Sequence, residues 1–161
     1  MRVALLALAF LCGSGCDSVG SDTVAVDASR QPWPAMLDAV NAARAEGQTC
    51  GSEVYPPAPP LVWNDRLTTA AEAHSADMAR NAYFDHTGSD GSRPGDRATR
   101  AGYPWRIVGE NIARYQSSVG EVVGAWVASP SHCRNLMDAR YAELGASERD
   151  TYWTQVFGLA R

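Results

Sequence analysis

Apolar residues recur along this chain in two rhythms, and the change from one to the other predicts its architecture. Met36, Leu37, Val40 and Ala43-Arg44 fall at helical spacing after Pro32 and Pro34, and Gly47 ends that helix. Thr49 to Pro60 is rich in Pro and Gly and is expected as a long loop. A second helix, capped by Asp65, places Leu67, Ala70, Ala71, His74 and Met78 on one face. The Gly, Asp and Ser cluster from Thr87 to Gly95 predicts another loop, followed by a short helix to Gly102. From Ile107 to Ala113 the period drops to two, which predicts a strand. Val119, Val122, Val123, Trp126 and Val127 return to helical spacing, and Ser129-Pro130 caps and opens a short helix through Met137. Tyr141 to Ala146 and Tyr152 to Leu159 read as two strands joined by the charged turn Glu148-Arg149-Asp150. Helices come first and strands late, so the fold class is α+β with helices packed on a small sheet.

The N-terminal segment reads differently. Met1-Arg2 carries one positive charge, Val3 to Leu11 is apolar, and small residues follow at Gly13-Ser14-Gly15. The run is shorter than the roughly 20 apolar residues that span a bilayer, and it matches a secretory signal peptide. Gly13-Ser14-Gly15-Cys16 resembles a lipobox, which makes Cys16 a candidate for lipidation, with secretion free of lipid as the alternative. Residues 1–16 are thus expected as a signal peptide, 17–33 as a flexible tether and 34–161 as the folded domain. The chain is placed outside the cytoplasm, as an envelope lipoprotein or a secreted protein. Its membrane contact is expected only through an N-terminal lipid.

Composition narrows the partners. With 161 residues, 45% hydrophobic and 20% charged, the chain has material for one ordinary domain, expected as a monomer. A net charge of -4 and no basic run argue against nucleic acid. Of four Cys, Cys12 leaves with the signal peptide and Cys16 is the lipidation candidate, which leaves Cys50 and Cys133. In an oxidising compartment these two are expected as a disulfide, two free buried thiols being the alternative.

Glu110 carries most chemical information. Alternation puts it on the same strand face as Val108 and Ile112, where a carboxylate is costly unless paired, hydrogen-bonded or metal-bound. It is either a cleft ligand or a structural carboxylate held by backbone amides or an Arg. His86 follows Tyr83-Phe84, a pair expected inside, and is a candidate ligand or proton carrier. His132 is a second candidate. His74, on an apolar helix face, reads first as a core residue. Asn111 reads as structural, and Trp63, Trp126 and Trp153 as core. Enzyme motifs are missing: no nucleophile elbow, no His-Glu-x-x-His helix and no phosphate loop.

Seven fragments in order resemble the CAP superfamily (cysteine-rich secretory, antigen 5, pathogenesis-related 1) in its bacterial form. They are Val40-Asn-Ala-Ala-Arg44, Pro60-Leu-Val-Trp63, Ala73-His-Ser-Ala-Asp-Met-Ala79, Phe84-Asp-His86, Gly109-Glu-Asn-Ile-Ala113, Trp126-Val-Ala-Ser-Pro-Ser-His132 and Tyr152-Trp-Thr-Gln-Val-Phe157. The resemblance implies an α-β-α sandwich with a central cleft. It also implies a His and Glu tetrad able to bind a divalent metal, of which His86 and Glu110 match one half. The other half departs, with Ser129 in the second Glu place and Tyr152 in the second His place. His132 or His74 is a substitute candidate, and His86, Glu110 and His132 together would suit zinc. Two functions follow as expectations. The first is a surface binding module for a lipid, glycan or protein ligand, and the second a metal-dependent hydrolase, with a structural envelope role as a further alternative.

Overall fold

In the computed structural model of this chain, residues Trp33–Arg161 are described. The expected signal peptide, lipobox and nearly all of the tether lie outside them. Helix α1 (Trp33–Glu46) buries Met36, Val40 and Arg44, one stripe at four-residue spacing. Gly47 follows at φ +71°, the left-handed conformation that ends a helix most readily in glycine. The expected long loop holds instead a small antiparallel ribbon, β1 (Gln48–Cys50) against β2 (Glu53–Tyr55). Gly51, at φ +71°, reverses the chain, and Pro56 and Pro57, which have no amide to donate, end the ribbon.

Strand β3 (Val62–Trp63), which no local pattern announces, leads into α2 (Asp65–Asn81). The cap of α2 is Asn64, not Asp65, because the Asn64 side chain accepts bonds from the amides of Arg66 and Leu67. Asp65 opens the first turn, where its charge suits the helix dipole. Leu67, Ala70, Ala71, His74 and Met78 are all buried, as their spacing predicts. After Ala82 turns left-handed the chain leaves the core, and Phe84, expected inside, is 47% exposed. Helix α3 (Pro94–Arg100), strand β4 (Trp105–Arg114), helices α4 (Val119–Ala128) and α5 (Pro130–Met137), and strands β5 (Glu143–Arg149) and β6 (Tyr152–Ala160) complete the order. The β5–β6 hairpin turns on Asp150 and Thr151, at φ +51° and +67°, later than the expected Glu148-Arg149-Asp150. Glu148 supports the turn instead, accepting a bond from the Thr151 amide at 2.5 Å.

The main sheet has the order β3-β5-β6-β4, with β3 parallel to β5 and the other pairs antiparallel. Register decides which layer each side chain joins. Val156 packs with Leu67, Ala71 and Ala98 on the side of α2 and α3. Its neighbour Phe157 packs with Leu144, Trp126 and Leu136 on the side of α1, α4 and α5. Gly145 is needed for close layering, because a Cβ there would run into the backbone of Leu67 and Thr68. The expected α-β-α sandwich is the architecture. Trp126 and Trp153 lie in its core, whereas Trp63 is half-buried and stacks on Trp33 with centroids 5.8 Å apart.

Two cross-links hold α5. Cys50 and Cys133 form a disulfide with Cα atoms 5.4 Å apart, joining the ribbon to the helix. The wholly buried Arg44 donates to the carbonyls of Pro59 at 2.8 Å, Leu136 at 2.6 Å and Asp138 at 3.1 Å. Among the described residues no helix is long and apolar enough to cross a membrane.

Candidate functional site

Strand β4 sends consecutive side chains into opposite layers, and this places the site. Glu110 points toward α2 and α3, while Asn111 points toward α5. The Glu110 side chain is 1% exposed, and each of its oxygens has a partner. Arg97, on the buried face of α3, donates from Nη2 to Glu110 Oε2 at 2.7 Å and to the His86 carbonyl at 3.0 Å. Its Nη1 donates to the Ser92 carbonyl at 2.8 Å. His86 Nδ1 lies 2.8 Å from Glu110 Oε1, and His74 Nε2 lies 3.7 Å from that same oxygen. The structural reading of Glu110 is the one its contacts bear out: a buried guanidinium locks it into the fold, and it meets the cleft only behind His86.

The three imidazoles differ sharply in setting. His86 is half exposed, and a proton on its Nδ1, shared with Glu110, leaves Nε2 as an acceptor in the cleft. His74 is fully buried and donates from Nε2 to the Asp85 carbonyl at 2.9 Å. That burial places it in the core and lowers its pKa, against the pull of the Glu110 charge. His132 lies at the start of α5, and burial, then the repulsion that a protonated His86 would exert, lowers its pKa as well.

A connected set of amides forms the other wall. Tyr141 Oη donates to Asn135 Oδ1 at 3.1 Å, and Asn135 Nδ2 donates to Asn111 Oδ1 and to the Glu110 carbonyl, each at 3.0 Å. Asn111 Nδ2 in turn reaches the His132 carbonyl at 3.2 Å and Gln155 Oε1 at 3.1 Å. Asn111 makes the structural bonds expected of it and is also part of this wall. Gly109 has a steric reason: a Cβ there would collide with the Tyr141 hydroxyl and Asn135 Oδ1.

Between these walls lies an open cleft of about 690 Å³ lined by His86, Glu110, His132, Arg134, Asn135 and Tyr141 among others. His132 also lines an adjoining groove of about 450 Å³ with Phe84, Tyr115, Trp126 and Ser129. Of the expected site residues, His86, Glu110 and His132 thus share the cleft. Ser129 lies in the neighbouring groove, and His74 is buried behind Glu110. Tyr152 lines neither; its ring packs 5.3 Å from the Arg114 guanidinium and its hydroxyl accepts from Arg114 at 3.2 Å. Sequence reasoning did not name Arg97, Arg134 or Asn135, and it placed Tyr141 only at the start of a strand. For Arg97 a signal existed, since a carboxylate on an apolar face calls for a partner and α3 carries two Arg, Arg97 and Arg100.

The implied divalent metal does not fit these residues. Glu110 Oε2 is held by a buried guanidinium and Oε1 by His86, so the carboxylate has no free face for a metal. Among the described residues no three His, Cys, Asp or Glu side chains form a group that could hold a metal ion.

The sequence model of the "Cysteine-rich secretory protein family" matches residues 37–157. YkwD of Bacillus subtilis (strain 168) is 35% identical over 100 residues, covering 61% of this chain and 39% of the relative. The Bacillus subtilis membrane protein YlbC is 31% identical over 97 residues, covering 60% of this chain and 28% of its own length. The chain thus spans well under half of either relative. Among solved structures, an extracellular SCP-domain protein of Bacillus anthracis str. Ames superposes with a TM-score of 0.70 at 29% identity. That match covers 78% of this chain and 39% of the other. An outer surface protein of Borrelia burgdorferi gives a TM-score of 0.69 at 19% identity, covering 83% of this chain and 96% of its own, and shows the shared fold.

Proposed function

The chain belongs to the cysteine-rich secretory protein family, and from that premise we propose that it is an exported binding module whose cleft takes a ligand outside the cytoplasm. One observation carries the reading. The cleft combines a carboxylate neutralised from behind by Arg97 with polar groups, His86 Nε2 and the His132 ring, that have no hydrogen-bond partner among the described residues. Open concave sites with a few convergent polar groups are the usual form of ligand pockets. Export rests on the N-terminal pattern of residues 1–16, with Cys16 as the lipid attachment point and residues 17–33 as the tether. The extracellular and outer-surface settings named for two structural neighbours agree with it.

Occupancy of the cleft tests this reading. Native mass spectrometry of the chain recovered from its own cells should show a bound small species. Ala139→Trp, at an exposed position of the cleft lining, should lose it. The same bound mass in both proteins would place the ligand elsewhere, and none in either would end the cleft reading.

A second reading has its own observation. Glu110 orients His86 as a carboxylate orients a general base, so His86 Nε2 is placed to take a proton from water in a hydrolysis. Ester or amide turnover that His86→Ala abolishes would support hydrolysis.

A further inference from the structure

We propose, resting on the cleft reading above, that the ligand is an acidic glycan, with its carboxylate against Arg134 and His132 and an adjacent sugar ring on Tyr115 and Phe84. The charge balance of the cleft is the first observation. Glu110 is neutralised by Arg97, and Asp138 is engaged by Arg140 through bonds of 2.9 and 3.1 Å to its Nε. Arg134 lines the same cleft, is exposed, and has no ion pair or side-chain hydrogen bond among the described residues. The surplus charge of this lining is therefore positive, in a chain of net charge -4. A carboxylate would supply the missing partner.

The second observation extends the site. His132 lines both the cleft and the adjoining groove, so a ligand seated against its ring has both within reach. In the groove Phe84 is 47% and Tyr115 70% exposed. Tyr115 is held outward at φ +81°, a conformation costly for an aromatic residue, with its amide donating to the Thr151 carbonyl at 3.0 Å. The Arg114 guanidinium lies 4.1 Å from the Tyr115 ring centroid and steadies it. A rigid exposed ring beside polar side chains suits the apolar face of a sugar with its hydroxyls bonded at the rim.

The third observation disfavours a peptide. An extended peptide would pair with the outer edge of β4, yet two of the carbonyls it would need there are taken. Asn135 Nδ2 donates to Glu110 O at 3.0 Å, and Trp126 Nε1 donates to Ile112 O at 3.2 Å.

Calorimetric titration of the full chain with trigalacturonic acid, neutral galactotriose and triglutamate tests the proposal. Trigalacturonic acid should bind at least about tenfold more tightly than galactotriose. Arg134→Gln should weaken it about tenfold, with recovery in Arg134→Lys. Tyr115→Asn, which tolerates the left-handed backbone, should weaken it several-fold. Equal affinity for galactotriose, or indifference to Arg134→Gln, overturns the acidic ligand and leaves the cleft reading standing. Tighter binding of triglutamate overturns the glycan. Binding of none of the three overturns the proposal, and the Ala139→Trp occupancy comparison then decides the cleft reading separately.

Discussion

Arg97 Nη2 stands 2.7 Å from Glu110 Oε2, with side-chain exposures of 4% and 1%. The pair joins α3 to β4 and holds Glu110 in place behind the cleft. Removing the cation strands a buried carboxylate, so Arg97→Met should destabilise the fold by about 3–5 kcal/mol. Glu110→Gln keeps a polar group and should cost about 1.5–3 kcal/mol. Urea denaturation of both variants checks the order. An unchanged midpoint for Arg97→Met would show that solvent reaches the pair.

Gly109 and Tyr141 are coupled through space that a single methyl would fill. Gly109→Ala should destabilise by about 1–3 kcal/mol through overpacking. Tyr141→Phe removes the hydroxyl that the new Cβ would strike, so part of the loss should return in the double variant. A double-mutant cycle on the denaturation midpoints measures this coupling, and strict additivity would contradict it.

The Cys50–Cys133 bridge closes a loop spanning 83 positions. In the chain-entropy account such a loop contributes about 4–5 kcal/mol. Reduction should lower the melting temperature markedly, and the Cys50→Ala/Cys133→Ala variant should melt near the reduced protein. Peptide mapping without reductant should recover the crosslinked pair.

Folding lowers the pKa of His74, because burial outweighs the attraction of Glu110, with Arg97 and His86 also opposing the charge. The unfolded chain then binds this proton more readily than the folded one below about pH 6.5. Stability should fall as pH drops below that value, and His132 acts in the same direction. Replacing His74 by Gln removes its share, so the stability slope between about pH 7 and 5 should flatten. Parallel slopes for the two proteins would show that His74 does not titrate across folding. Asp77 acts in a separate window. Burial raises its pKa, but bonds from Ser89, Tyr83 and Asn81 outweigh that and hold it at about 2. Its contribution is lost only as pH falls from about 4 toward 2.

Lipidation at Cys16 should anchor the chain. Detergent phase partitioning of wild type and Cys16→Ala should send the first to the detergent phase and the second to the aqueous phase. Equal recovery in the aqueous phase would favour free secretion.

Period and punctuation in the sequence were enough for what depends on near neighbours. They placed the buried face of α2 with His74 in it, the inward side of β4 with Glu110, the start of α5 at Pro130 and the two late strands. They also left Cys50 and Cys133 as the pair to be joined. The buried faces follow from which side of one element a residue occupies, the α5 start from a proline at the first helical position, and the cysteine pair from elimination of Cys12 and Cys16. What that side meets is another matter, and only the tertiary structure decided it. Arg97 reaches Glu110 because α3 folds back over β4, a geometry that a short helix with no repeating pattern does not reveal. Phe84 turns outward because Ala82 ends α2 in a left-handed residue and the loop leaves the core. Tyr152 falls outside the cleft because its side chain packs against Arg114 near the hairpin end. His132 joins cleft to groove because α5 is held by the disulfide, by Arg44 and by Asn135. These contacts link elements distant along the chain, and their geometry is set by packing between layers rather than by local preference.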